Sequence, residues 1–218
     1  MFWDRVASVY DLFEDVYNRK VYRGTGKTVA EEIRPGDEVL ECACGTGAIS
    51  AYIAPVCRRL TATDFSEGML KQTAKKLRTY GNVDIRRADM TRLEFADGRF
   101  DAVVAGNMIH LLKEPVPAVQ ELMRVCKPGG KVILPTYINI YNGKPSKLVK
   151  LFEKAGAHFQ RQFDMESYRR FFRDAGFGDV YYRLVEGKMP CAVAVLRNTP
   201  SGRDAERDFI RSEMLKDV

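Results

Sequence analysis

The stretch at residues 37–47, DEVLECACGTG, restricts the fold of this chain more than any other. Six residues ending at Cys42 are too short for a core helix and centre on Val39 and Leu40, so they read as a buried strand. Gly45 and Gly47 then make a tight turn, and a helical pattern runs over residues 48–55. Strand, glycine turn and helix in that order let the backbone approach a ligand closely and aim unpaired helix N–H groups at it. Such a turn is weak evidence alone and gains force only from what surrounds it.

The surroundings repeat the strand–helix alternation. Further short apolar runs lie at residues 60–63, 83–86, 100–105 and 131–135, the last after the turn Pro128-Gly129-Gly130. Between them, residues 66–80 read as a helix capped by Ser66, with Met69, Leu70 and Leu77 on one face, and residues 115–126 as another. This alternation predicts an α/β fold with right-handed βαβ units and a mainly parallel sheet. Residues 136–163 break the pattern and are polar, basic and aromatic, with a short helix expected at 146–155. A helix over 165–175 and two strands at 180–185 and 191–197, able to pair antiparallel, complete the pattern. Phe2, Val6, Val9, Phe13 and Val16 recur at helical spacing. One domain over residues 1–198 is expected, with 1–30 as a helical lid, 136–163 as an insertion on the acceptor side and 199–218 as a charged tail.

Acidic residues close three successive strands: Glu41, Asp64 and Asp89. Asp64 lies 19 residues beyond Gly45, near the ~20 expected for a carboxylate that binds a ribose diol. Each acid alone is an ordinary strand-end polar residue. Three on one sheet edge describe an adenosine site, with Asp89 able to accept from an exocyclic amine.

These residues carry a resemblance. Residues 39–47 resemble motif I of class I S-adenosylmethionine-dependent methyltransferases, residues 63–70 their second motif and residues 87–90 their third. Residues 100–110 and Lys127-Pro-Gly-Gly-Lys131 are similar to their fourth strand and the turn before the fifth. The branch resembled is the small-molecule group that includes ubiquinone and menaquinone C-methyltransferases. The resemblance implies a Rossmann-like, doubly wound seven-stranded sheet with an antiparallel C-terminal hairpin, and S-adenosylmethionine as cofactor. It implies that Glu41 lies near the methionine amino group, with Cys42, Ala43, Gly45 and Gly47 at the cofactor turn. By the same resemblance Asp64 holds the ribose, Phe65 and Met69 flank ribose and adenine, Asp89 and Met90 face adenine, Asn107 contacts the methionine part and Tyr10 closes over it. Ala43 departs from the family's glycine, a modest change if its φ is negative.

Methyl transfer from a sulfonium is an in-line displacement in which the protein chiefly aligns nucleophile and methyl. An oxygen, carbon or thiol acceptor must also lose a proton. Of two histidines, His110 follows the fourth strand at the expected acceptor edge and is the candidate base; a pocket-lining or backbone-bonded histidine is the competing reading. Tyr137 is placed to face the acceptor. Aromatic residues near both ends of the site, Tyr22 among them, suit an apolar, aromatic or anionic small molecule, and serve equally well as core.

Hydrophobic residues at 45% and charged residues at 29% argue for a packed core. No run of about 18 apolar residues occurs, and the first residues lack a secretory pattern. Five scattered cysteines read as reduced thiols, hence a cytoplasmic protein, and Cys42-x-Cys44 has no partner pair for zinc, so no metal is expected. The net charge of +6 is spread over short clusters without aromatic interleaving, which does not describe a nucleic-acid track but leaves contact with a membrane surface open. A nicotinamide-dependent oxidoreductase and a non-catalytic methyltransferase-like binding protein are the alternatives.

Overall fold

The computed structural model describes residues 18–138, 140–141, 144–145 and 160–199. The expected helices at 2–16 and 146–155, Tyr10, His158 and the tail beyond 199 lie outside the described residues.

In chain order the elements are α1 (Arg19–Ala30), β1 (Glu38–Cys42), α2 (Ser50–Ile53), β2 (Arg59–Asp64), α3 (Glu67–Leu77), β3 (Val83–Arg87) and β4 (Phe100–Ala105). There follow α4 (Pro115–Val125), β5 (Cys126–Tyr137), a two-residue pair β6 (Ile140–Tyr141) and β7 (Lys144–Pro145), α5 (Met165–Asp174), β8 (Val180–Val185) and β9 (Cys191–Arg197). Seven strands form one sheet in the order β3-β2-β1-β4-β5-β9-β8. β1 to β5 run parallel, whereas β9 pairs antiparallel with both β5 and β8. The chain winds outward from β1 to β3 and then returns to place β4 beside β1. That reversal opens a crevice at the carboxyl ends of the strands, where ligands of open α/β sheets bind.

Both faces are covered, so the inner strands are mostly apolar, with Glu41, Thr61 and Thr63 the buried polar residues of β1 and β2. Leu40, Cys42, Val103, Val132 and Leu134 face a core shared with Val119 and Leu122 of α4 and Tyr168 and Phe172 of α5. Their chain neighbours Val39, Ala102, Val104 and Ile133 face the other core, with Val21 and Val29 of α1, Ile53 of α2 and Leu77 of α3. The period of two is therefore intact on both sides.

The helix ends follow side-chain chemistry. Ser66 Oγ accepts from the Met69 amide at 3.2 Å, as its cap position requires. Asp164 caps α5 through a reciprocal box with Ser167. Two expectations shift. The helix after the glycine turn is only Ser50–Ile53, because residues 45–49 are spent on turns around the site. The turn at Pro128-Gly129-Gly130 is drawn into β5, where the register with β4 slips between Phe100 and Ala102. The Gly129 amide donates to Asn198 O at 2.7 Å, so the backbone groups of that slip are satisfied by the end of β9.

α1 is fixed to the sheet at its start and its end. Asn18 Nδ2 donates to Met189 O at 2.9 Å, and Lys131 Nζ meets Glu32 Oε2 at 2.8 Å just beyond the helix. In between, Gly26 lets the helix press on the ring of Tyr52, which a Cβ there would approach to 2.2 Å.

All five cysteines are free and buried. Among the described residues no helix is long and apolar enough to cross a membrane.

Candidate functional site

The carboxyl ends of β1 to β5 open on one cavity of about 290 Å³. Asp89 and Met90 line it beyond β3, Asp64 and Phe65 at β2, and Glu41, Ala43 and Gly45 at β1. Asn107, Met108, Leu111 and Leu112 line it beyond β4, Tyr137 at β5, and Tyr22 and Thr25 from α1. Met69, at the start of α3, completes the wall near Phe65.

The β1 turn is held by groups of the next strand. The Cys44 amide donates to Thr63 O at 2.9 Å. The Gly45 and Ser66 amides donate to the two oxygens of Asp64 at 2.9 and 2.8 Å. Thr73 Oγ1 donates to Gly45 O at 2.7 Å. A carboxylate oxygen has two lone pairs, so one that accepts from an amide can also accept from a diol. Gly45 has φ of 57° and a Cβ there would touch nothing within 4 Å, so it would project into open space at the turn. Ala43 also has a positive φ, 51°, not the negative value that would make alanine a harmless replacement; its Cβ is tolerated in a strained left-handed conformation.

Glu41 is almost wholly buried and accepts a short hydrogen bond from Ser50 Oγ. Burial pushes its pKa up to about 8, against the opposing bond from Ser50, so the carboxyl is held largely protonated near neutrality. Asp89 is exposed and accepts from the amide and hydroxyl of Thr91 at 2.9 and 2.7 Å. Phe65 is 44% exposed, with the Arg87 guanidinium 4.7 Å from its ring centroid.

Beyond β4 the wall is apolar. Asn107, at φ of 53°, donates its amide to Pro135 O at 2.8 Å and accepts from the Tyr137 amide at 3.2 Å, tying the ends of β4 and β5 together. Asparagine tolerates that conformation better than most residues.

Three residues named from the sequence stand elsewhere. Cys42 points into the core and does not line the cavity. Gly47 does not line it either; it serves close packing, since a Cβ would come within 3.2 Å of Thr73. His110 is a correction. It is buried, does not line the cavity, and its carbonyl accepts from the amides of Gln160 and Arg161. Burial pulls its pKa down to about 4, so it remains neutral and stands away from the cavity. Sequence reasoning missed Thr25, Ile49, Met108, Leu111 and Leu112 as lining residues. The last three share a run with His110, so its apolar character was the available signal; nothing in the sequence marked Thr25.

Comparison with known proteins identifies the same stretch. The family described as "Methyltransferase domain" matches residues 40–134. The demethylmenaquinone methyltransferase of Renibacterium salmoninarum is 32% identical over 210 residues, covering 85% of this chain and 86% of its own length. That of Clavibacter sepedonicus is also 32% identical, over 227 residues, covering 93% and 91%. Among solved structures, a SAM-dependent methyltransferase of Thermotoga maritima has a TM-score of 0.68 at 20% identity, covering 91% of this chain and 99% of that one, and so shares the fold.

The residues fit an adenosyl sulfonium. Three carboxyl groups and no Lys, Arg or His line the cavity among the described residues. Even with Glu41 protonated, the absence of basic side chains beside the two aspartates suits a ligand bearing a sulfonium and an ammonium, and disfavours the pyrophosphate of a dinucleotide. Ala88, Met90, Phe65 and Met69 provide apolar walls between the acids for a purine.

Proposed function

Because the chain belongs to the S-adenosylmethionine-dependent methyltransferase family, we propose that it methylates a ring carbon of a flat, apolar, quinol-like small molecule. It is an enzyme of that family, and S-adenosylmethionine is its methyl donor.

In this reading Asp64 holds the ribose hydroxyls, Asp89 and Met90 meet the adenine, and Phe65 and Met69 flank it. Gly45 leaves room for the donor, and Glu41 faces the methionine ammonium. Asn107 sets the wall where the sulfonium methyl is presented. The acceptor lies against Met108, Leu111, Leu112 and Tyr137, whose apolar character is the observation that carries the choice of acceptor. The names of the two relatives above agree with such a molecule.

The nucleophile is a ring carbon made electron-rich by the hydroxyls of the reduced acceptor. Its bond to the methyl carbon forms as the sulfur–methyl bond breaks, and the ring proton then leaves to solvent. The protein aligns the two partners and excludes competing nucleophiles. In this reading the described residues act as one domain in the cytoplasm, and Tyr22 and Thr25 of α1 border the acceptor side of the cavity.

The test is transfer of an isotopically labelled methyl group to short-chain naphthoquinols lacking a ring methyl, alongside catechol and amine acceptors. Label on the quinol ring carbon is expected. Label only on oxygen or nitrogen acceptors would overturn the proposal.

A further inference from the structure

Phe65 and Leu184 are the large apolar side chains left exposed among the described residues. Leu184 lies on the edge strand β8, but Phe65 lines the cavity. Its backbone is bracketed by Asp64, which closes β2, and Ser66, which caps α3. Arg87, at the end of β3, lies opposite Asp64 in the strand register. Its Nε donates to Phe65 O at 3.1 Å, and its guanidinium stands 4.7 Å from the ring centroid. Its Nη1 reaches Glu67 Oε1, in the first turn of α3, at 3.6 Å. One side chain thus holds both the backbone and the ring of Phe65 from outside the cavity, which Arg87 itself does not line.

The pair with Glu67 does not account for this arrangement. Its side chains are 53% and 71% exposed, and an ion pair in that setting contributes little. The directional contacts are the bond to Phe65 O and the stacking on the ring, and a cation over a phenyl face restricts how that ring turns. We propose that Arg87 is a positioning residue for the donor, acting through Phe65. It holds the ring as the wall against which the purine packs, so that less ordering remains to be done on binding. Arg87 touches neither donor nor acceptor. Its charge alone works against a cationic donor, so a role through the Phe65 ring and a role through the electrostatic field have opposite signs.

The inference rests on the purine contact proposed above, and calorimetry separates the two. S-adenosylmethionine is cationic, whereas methylthioadenosine carries the same adenosine, is neutral and lacks the amino-acid tail. Arg87→Met should weaken binding of both ligands by the same factor, roughly 2–10-fold, the scale of one exposed cation–π contact. Arg87→Lys, which keeps a cation without the planar fork, should lose less. In a Phe65→Leu background, Arg87→Met should change either affinity by less than about twofold, because the ring it acts through is gone. Tighter binding of S-adenosylmethionine by Arg87→Met, with methylthioadenosine unchanged, would show that the charge acts through its field and would overturn the positioning role. Unchanged affinity for both ligands, or equal losses with and without the Phe65 ring, would overturn it as well while leaving the donor site intact. A wild-type protein that binds neither ligand would overturn the donor site and the role of Arg87 with it.

Discussion

Ala43 shows what the donor turn costs at a single position. A φ of 51° is free to glycine and strained for alanine by roughly 1–2 kcal/mol. The strain is retained because the turn on which Ala43 lies is held by Asp64 and Thr73. Ala43→Gly should therefore raise the thermal midpoint by the equivalent of about 0.5–1 kcal/mol, less than the full strain because glycine gains freedom when unfolded. A lower midpoint in a calorimetric scan would mean the Cβ contributes packing that outweighs the strain.

Glu41 carries a sharper signature. Its pKa is near 8 in the folded chain, against an ordinary carboxylate value when unfolded, so the folded state holds the extra proton. Stability from this group is full below the unfolded value and is lost as pH rises toward the folded one. Glu41→Gln keeps the neutral form at every pH. In thermal melts without donor, the variant and wild type should coincide near about pH 4, and the variant should melt higher at about pH 8.5. Parallel curves across that range would show that Glu41 is already ionised in the free protein.

Among the elements, α1 carries the tightest steric condition. Gly26 faces the Tyr52 ring with no room for a methyl group, which would arrive at 2.2 Å. Gly26→Ala gains helix propensity but must displace that ring or the helix. A net destabilisation of about 1–3 kcal/mol is expected, read from urea unfolding. Because Tyr22 and Thr25 ride on the same helix, acceptor affinity should fall with it. A variant as stable as wild type would show that Tyr52 swings aside freely. The strands were legible at this scale because their apolar runs are short and bounded by turn residues, and α3 because Ser66 stands at its start; the Asp164 cap of α5 emerged only from the structure. The extent of β5 was not, since Pro128-Gly129-Gly130 reads locally as a turn and joins the sheet only because Asn198 reaches it. Thr25 was hidden for the same reason, being an unremarkable helical threonine until the cavity is assembled around it.

For the whole molecule, the strand-end acids were readable because a parallel sheet puts every strand's carboxyl end on one edge. Glu41, Asp64 and Asp89 had to share a side once the alternation was recognised. The same inference placed His110 at that edge, but position along an edge does not decide which way a loop residue turns. Residues 160–161 bond to its carbonyl and the ring is shut away from the cavity. A contact between distant segments of that kind leaves no periodic trace in the sequence.

The strand order has a bearing on biosynthesis. β9 lies between β5 and β8, although it follows both in the chain. While a ribosome is still adding residues short of Cys191, the open edge of β5 and the unpaired β8 can only wait, exposed to neighbouring nascent chains. The arrival of the seven residues of β9, six of them buried, closes the sheet in one step. A nonsense codon in the β8–β9 hairpin would thus leave the donor turn encoded and intact in sequence, yet yield a polypeptide prone to aggregate rather than a smaller working enzyme.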